Sequence, residues 1–134
     1  MKIILFCFLF FGIFVHAQSV ISEDSVANPP ENFENVHVEK LFGDSLSTAF
    51  MIWVKDTVAT HRHNWHSETI HVFEGKAKMY MNGEKSIIKS GDNIFIPKKT
   101  WHAVKVISDE PLKVISVQSP GFYGEDREFK KPSN

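Results

Sequence analysis

The sequence predicts an all-β fold in one domain, a sandwich or a barrel. Three observations carry that prediction. Short runs rich in Val, Ile, Thr and aromatic residues recur along the chain, parted by Gly, Pro, Asn and Asp at a spacing of roughly 8–12 residues. No long segment shows the apolar period of a helix. Asn82-Gly83 parts two of the runs, and this dipeptide is the strongest short hairpin signal because both residues tolerate positive φ.

In chain order, residues 1–17 are expected to be a secretory signal peptide. Lys2 supplies the positive charge, residues 3–15 are apolar, and Ala17 is a small residue at the cleavage position. The run falls short of the about 20 residues that a membrane span needs, so no stable anchor is expected after cleavage. The protein is therefore expected to be exported, to the periplasm or beyond. The chain's single cysteine, Cys7, lies inside this run. Its removal leaves no disulfide, thiolate nucleophile or Cys-ligated metal in the mature chain. Residues 18–32 read as a linker or N-terminal arm, polar and acidic, with Pro29-Pro30 resisting regular structure.

Residues 33–119 hold the expected strands. Val36, Val38 and, less strictly, Leu41 belong to a first one, closed by Gly43-Asp44. Residues 48–54, TAFMIWV, are continuously apolar, as in a strand buried on both faces, which makes Phe50, Met51 and Trp53 core. Residues 76–81 and 85–89 flank the Asn-Gly turn. Residues 93–96 form a short strand stopped by Pro97, which has no N–H to donate to a sheet. Residues 102–107 and 112–118 pair across Asp109-Glu110-Pro111. Residues 120–134 are expected as a tail over the outside of the domain. With 15 basic against 16 acidic residues and no block of one sign, neither nucleic acid nor an anionic membrane is an expected partner.

The chemistry concentrates in residues 61–75, HRHNWHSETIHVFEG. His61 and His63 are two apart, so on an extended strand both imidazoles leave one face. Glu68 opens the next extended run. Two imidazoles and a carboxylate without a thiolate suit a borderline divalent transition metal, and they leave its shell unfilled. A second stretch, residues 91–102, GDNIFIPKKTWH, ends in His102.

The spacing His61-x-His63-x4-Glu68-x6-Gly75 resembles the first motif of the cupin family, and Gly91-x5-Pro97-x4-His102 resembles the second. Two positions depart from the family pattern. Lys99 stands where a glycine is usual, and Val106 where an asparagine is usual. The resemblance covers roughly residues 40–118. It implies a double-stranded β-helix, or jelly-roll barrel, with a metal inside, held by His61, His63, Glu68 and His102. It also implies a homodimer, for which outward apolar residues such as Phe73 are suited.

Strand parity then places Ile70, Val72, Val104 and Val106 on the inward face and His71, Ala103 and Lys105 on the outward one. The wall near the metal is expected to be apolar. The pattern forces no Arg or Lys into it, so a highly charged sugar phosphate is not the expected ligand. Trp65 and Trp101 flank the ligands at the expected mouth, where they either stack on a substrate or pack the rim. Tyr80 is a candidate acid or hydrogen-bond donor into the cavity. His66 is either a base near the mouth or a solvated loop residue.

Four ligands leave positions open on an octahedral Mn, Fe, Co or Ni ion, and Zn accepts the same set. The functional expectation is a metal-dependent enzyme acting on a small oxygen-rich molecule, a dioxygenase or a non-oxidative isomerase or lyase. One alternative is a module that binds a metal-chelating ligand, such as a sugar acid, unchanged. Another is a metal that only locks the barrel.

Overall fold

The computed structural model describes residue 20 and residues 28–131. The expected signal peptide and most of the arm lie outside the described residues. Within them, ten strands run in order: β1 (Val36–Gly43), β2 (Thr48–Val54), β3 (Thr57–His63), β4 (Ser67–Glu74), β5 (Lys76–Met81), β6 (Glu84–Lys89), β7 (Asn93–Ile96), β8 (His102–Val106), β9 (Leu112–Ser119) and β10 (Arg127–Phe129). They form two five-stranded antiparallel sheets, ordered β1-β2-β9-β4-β7 and β10-β3-β8-β5-β6. Sequence neighbours β3 and β4, and β7 and β8, lie in opposite sheets, so the chain crosses the barrel repeatedly. This is the double-stranded β-helix.

The core follows from the period of two. Leu112, Val114, Ser116 and Gln118 on β9 are buried and the residues between them are not. Val72, Met79, Ile96, Val104 and Val106 join the same core from both sheets. Val106, at the position of the family's asparagine, replaces a polar group with apolar packing. The inward and outward assignments made from parity for Ile70, Val72, His71, Val104 and Val106 agree with this burial.

β2 is buried on both faces. Its outward side chains Met51 and Trp53 lie beneath Phe33, Leu41 and Phe73. Leu41 sits there by strand alternation, on the same face of β1 as His37 and Glu39, which pair with Trp53 and Met51. It is an odd number of residues from Val36 and Val38 and so lies on the face opposite them, which explains its loose fit to their pattern. Asn35 anchors the chain before β1. It donates to the carbonyl of Thr57 and accepts from the backbone N–H groups of Asp56 and Thr57.

Asn82 and Gly83 both adopt positive φ, 49° and 92°, as a type I′ hairpin turn requires. Gly75 has φ 82°, and a Cβ there would stand 2.8 Å from Leu112 Cα, so the close of the first motif admits no side chain. The tail differs from expectation. Residues 127–129 do not merely cover the barrel but pair with β3 as an edge strand of the second sheet. No helix among the described residues is long and apolar enough to cross a membrane.

Candidate metal centre

Three strands deliver the four sequence-predicted ligands to one buried point. His61 and His63 lie on the inward face of β3, and His102 opens β8 directly opposite His61. Glu68 reaches in from β4 of the other sheet. The ring centroids of His61 and His102 are 4.1 Å apart, and those of His61 and His63 are 5.1 Å apart. The ligating atoms of the three histidines lie within 4.8 Å of one another. Glu68 Oε2 stands 3.5 Å from His102 Nε2 and 3.7 Å from His63 Nε2.

Hydrogen bonding prepares these atoms. His61 Nδ1 is 2.8 Å from the carbonyl of Ala59, and His102 Nδ1 is 2.9 Å from that of Thr100. A carbonyl only accepts, so each Nδ1 carries the proton and each Nε2 keeps its lone pair. Glu68 Oε1 accepts from Ser116 Oγ, and Ser116 is bonded in turn by Gln118 Nε2.

Electrostatics agree with that arrangement. Burial, reinforced by His102, lowers the pKa of His61 to about 4. Burial likewise takes His63 to about 4 against the opposite pull of Glu68. Burial alone raises Glu68, but contacts with His102 and Ser116 outweigh it and hold the carboxyl at about 2. At neutral pH His61 and His63 are therefore neutral imidazoles and Glu68 a carboxylate, the protonation states in which these groups bind a metal. The donor set fits a borderline divalent transition ion.

The second motif keeps its turn without the family's glycine. Lys99 adopts φ 65°, the left-handed region, and its N–H donates to the carbonyl of His63 at 2.5 Å. The turn that leads to His102 is thereby tied to the strand that carries two other ligands.

His61, His63, Glu68 and His102 line a cavity of about 310 Å³ inside the barrel. Val54, Val58, Ile70, Met79, Leu112 and Val114 supply much of its wall. The tail supplies Arg127 and Phe129, which corrects the expectation that no cation faces the site. Their register shows why. Arg127 pairs with His63 and Phe129 with His61, so both inherit the inward face of the ligands they oppose. Nothing in the tail's own sequence indicates which strand it will join.

Trp65, Trp101 and Tyr80 are not among the described residues that line this cavity. Tyr80 follows the inward Met79 and so points outward. Trp101 precedes the inward His102 and lies beneath the Arg62 guanidinium, 4.6 Å from its ring centroid. Both line a separate concavity on the outer face of the second sheet. Trp65 is 75% exposed on a loop.

His66 is not solvated, and it is not among the described residues that line the cavity. It is buried with its ring 4.2 Å from that of His63, and its Nδ1 is 2.7 Å from Asp126 Oδ2. Asp126 also accepts from the backbone N–H groups of Asn64, Trp65 and His66. Burial lowers the pKa of His66, opposed by Asp126. Asp126 is the residue that sequence reasoning missed in this cluster. Its signal, one acid in a polar tail, is indistinguishable from its neighbours.

Fold and site define a double-stranded β-helix barrel with a buried cluster of three histidines and a glutamate. The profile of the cupin domain matches residues 49–118, and the chain belongs to the cupin family. It is 31% identical to an uncharacterized protein of Aquifex aeolicus over 78% of this chain and 85% of that one. It is 29% identical to quercetin 2,3-dioxygenase of Bacillus subtilis over 51% of this chain but only 20% of the enzyme. Among solved structures it resembles an uncharacterized conserved protein of Klebsiella pneumoniae with a double-stranded β-helix domain. That match has a TM-score of 0.71 at 19% identity and covers 87% of this chain and 100% of that one. KdgF from Halomonas gives 0.67 at 19% identity, covering 78% and 94%. Pac13 of Streptomyces, a nucleoside dehydratase, gives 0.60 at 17% identity, covering 70% and 85%. At these identities the structural likeness establishes the fold.

Proposed function

We propose that this cupin is a metal-dependent enzyme acting on a small oxygen-rich organic molecule. The observation that carries the reading is the convergence of three imidazoles and one carboxylate on the wall of a largely apolar cavity. His61, His63, Glu68 and His102 hold the ion. A divalent transition metal there supplies Lewis-acid polarisation of a substrate oxygen or, if redox-active, a route for electrons to dioxygen. The chain's own groups do the rest. The apolar wall excludes water and packs the substrate's carbon skeleton. Ala59 and Thr100 hold two rings in the ligating tautomer, and Ser116 holds the carboxylate.

Both oxidation by dioxygen and non-oxidative isomerisation or elimination use such a site. A dioxygenase among the curated relatives and a dehydratase among the structural neighbours support a choice between these two classes. The test is elemental analysis of protein purified without chelator, followed by assays of enol, diol and sugar-acid panels with and without dioxygen. His61→Ala serves as the control. Stoichiometric metal and turnover that His61→Ala loses support the reading. Absence of metal even after soaking overturns it.

One observation favours a second reading, a module that binds its ligand unchanged. Among the described residues that line the cavity, Arg127 is the only ionisable group outside the four ligands, so no separate general base faces it. Recovery of a tightly bound compound unaltered supports that reading, and release of a modified product excludes it.

We also propose export and homodimerisation. The apolar run with its small-residue end supports export, and N-terminal sequencing of the mature protein tests it. Family resemblance supports the dimer, and sedimentation analysis tests it. Phe73 contributes less to such an interface than expected, because it is engaged on Met51 and Trp53 of its own chain.

A further inference from the structure

Arg127 has no role in holding the fold that its surroundings reveal. Its neighbours in sequence have theirs: Asp126 binds His66 and the loop before β4, and Glu128 binds Arg62 at 2.8 Å. Among the described residues no carboxylate pairs with Arg127 and no carbonyl accepts from it. Yet its direction is set. It stands opposite His63 across the β10–β3 ladder and lines the same cavity as the metal ligands. Phe129, two residues on, stands opposite His61 with ring centroids 5.9 Å apart and lines the same cavity. The positive charge of Arg127 contributes to lowering the pKa of both His61 and His66, which places it within electrostatic reach of the centre.

An unpaired guanidinium on an otherwise apolar wall fits a ligand that brings the missing anion. Among the described residues no second Arg and no Lys lines the cavity, so the wall balances one negative charge. That suits a carboxylate, whose planar oxygens match the guanidinium fork, better than a phosphate dianion.

We propose that Arg127 is a specificity-determining residue. It selects small organic acids that chelate the metal through oxygen at one end and present a carboxylate to Arg127 at the other. This rests on the metal reading above and narrows the substrate class. The apolar lining of the cavity takes the carbon skeleton, with Phe129 beside it.

The test uses the processed protein loaded with Co(II) and two probes that share a vicinal diol. These are catechol and 3,4-dihydroxybenzoate, which adds one carboxylate. Calorimetric titration of wild type should show the acid bound about tenfold more tightly, the size of effect one charge-assisted contact supplies at a partly open site. Arg127→Gln should abolish that preference while leaving cobalt content and catechol affinity unchanged, and Arg127→Lys should keep part of it. A preference that survives in Arg127→Gln, or that wild type lacks, overturns the inference and leaves the metal site standing. Failure of both probes to bind loaded protein also overturns it. If wild type takes up no more cobalt than His61→Ala, the metal reading itself falls, and this inference falls with it.

Discussion

Lys99 holds a backbone conformation that costs an L-residue about 1–2 kcal/mol, and it does so in the turn that delivers His102. Lys99→Gly is expected to stabilise the protein by about 0.5–1 kcal/mol, less than the full relief because glycine also loosens the unfolded chain. Thermal unfolding reads this as a rise of a few degrees, and a fall would show that the side chain contributes more than the strain costs. Ser116 acts on the centre through Glu68. Ser116→Ala should lower metal affinity about tenfold in competition with a chelator, as loss of a group supporting a ligand commonly does. The depressed pKa values of His61, His63 and Glu68 also set a pH dependence for the metal-free protein. The unfolded imidazoles take up protons below about 6.5 while the folded ones wait until about 4, so the unfolded state binds more protons in between. Stability should fall as pH drops through that window. It should fall further below about 4.5, where unfolded Glu68 protonates before the folded carboxyl does. Urea midpoints from pH 7 to 4 measure it, and replacing both His61 and His63 by Gln should flatten the upper part of the curve.

At the scale of elements, β10 and the residue before it matter more than their three-residue length suggests. Asp126 satisfies three backbone N–H groups and His66 at once, which fixes the 64–66 loop between His63 and Glu68. Asp126→Ala removes the side-chain acceptor from a buried N–H at His66 and part-buried ones at Asn64 and Trp65. The expected cost is about 2–3 kcal/mol in urea unfolding, together with weaker metal retention as the His63 ring loses its backing. A cost below about 0.5 kcal/mol would mean that water replaces the carboxylate without loss. Most elements are readable from sequence because their signals are local. Residues 48–54 show a continuous apolar run, and residues 76–81 and 93–96 show their stops, in the chain itself. β10 is not readable, since three exposed residues carry no period, and only the open edge of β3 makes them a strand.

The whole molecule uses both sheets to build one site, with imidazoles from one and the carboxylate from the other. An ion bound there ties the sheets together and binds the folded state alone. At a free concentration of 100 times Kd, metal should stabilise the protein by about 2.7 kcal/mol. A chelator should reverse the accompanying rise in Tm. An unchanged Tm across a metal series, with the metal demonstrably bound, would show that the site also survives in the unfolded chain.

The all-β class and the apolar wall are legible in the residues alone, and the four metal-ligand candidates through the resemblance of two motifs to the cupin family. The residue-level signals are short-range: one residue between imidazoles on one strand face, a turn dipeptide, alternation along β8 and β9. Which residues complete the cavity depends instead on contacts across more than sixty positions. Arg127 and Phe129 face the centre because β10 lies on β3 in one register, and a slip of one residue would turn both outward. Tyr80 and Trp101 face away for a related reason, since each lies one position from an inward residue. His66 becomes a buried partner of Asp126 only when the tail closes over its loop. Strand register and tail docking are properties of the assembled barrel, and no local pattern in the chain encodes them.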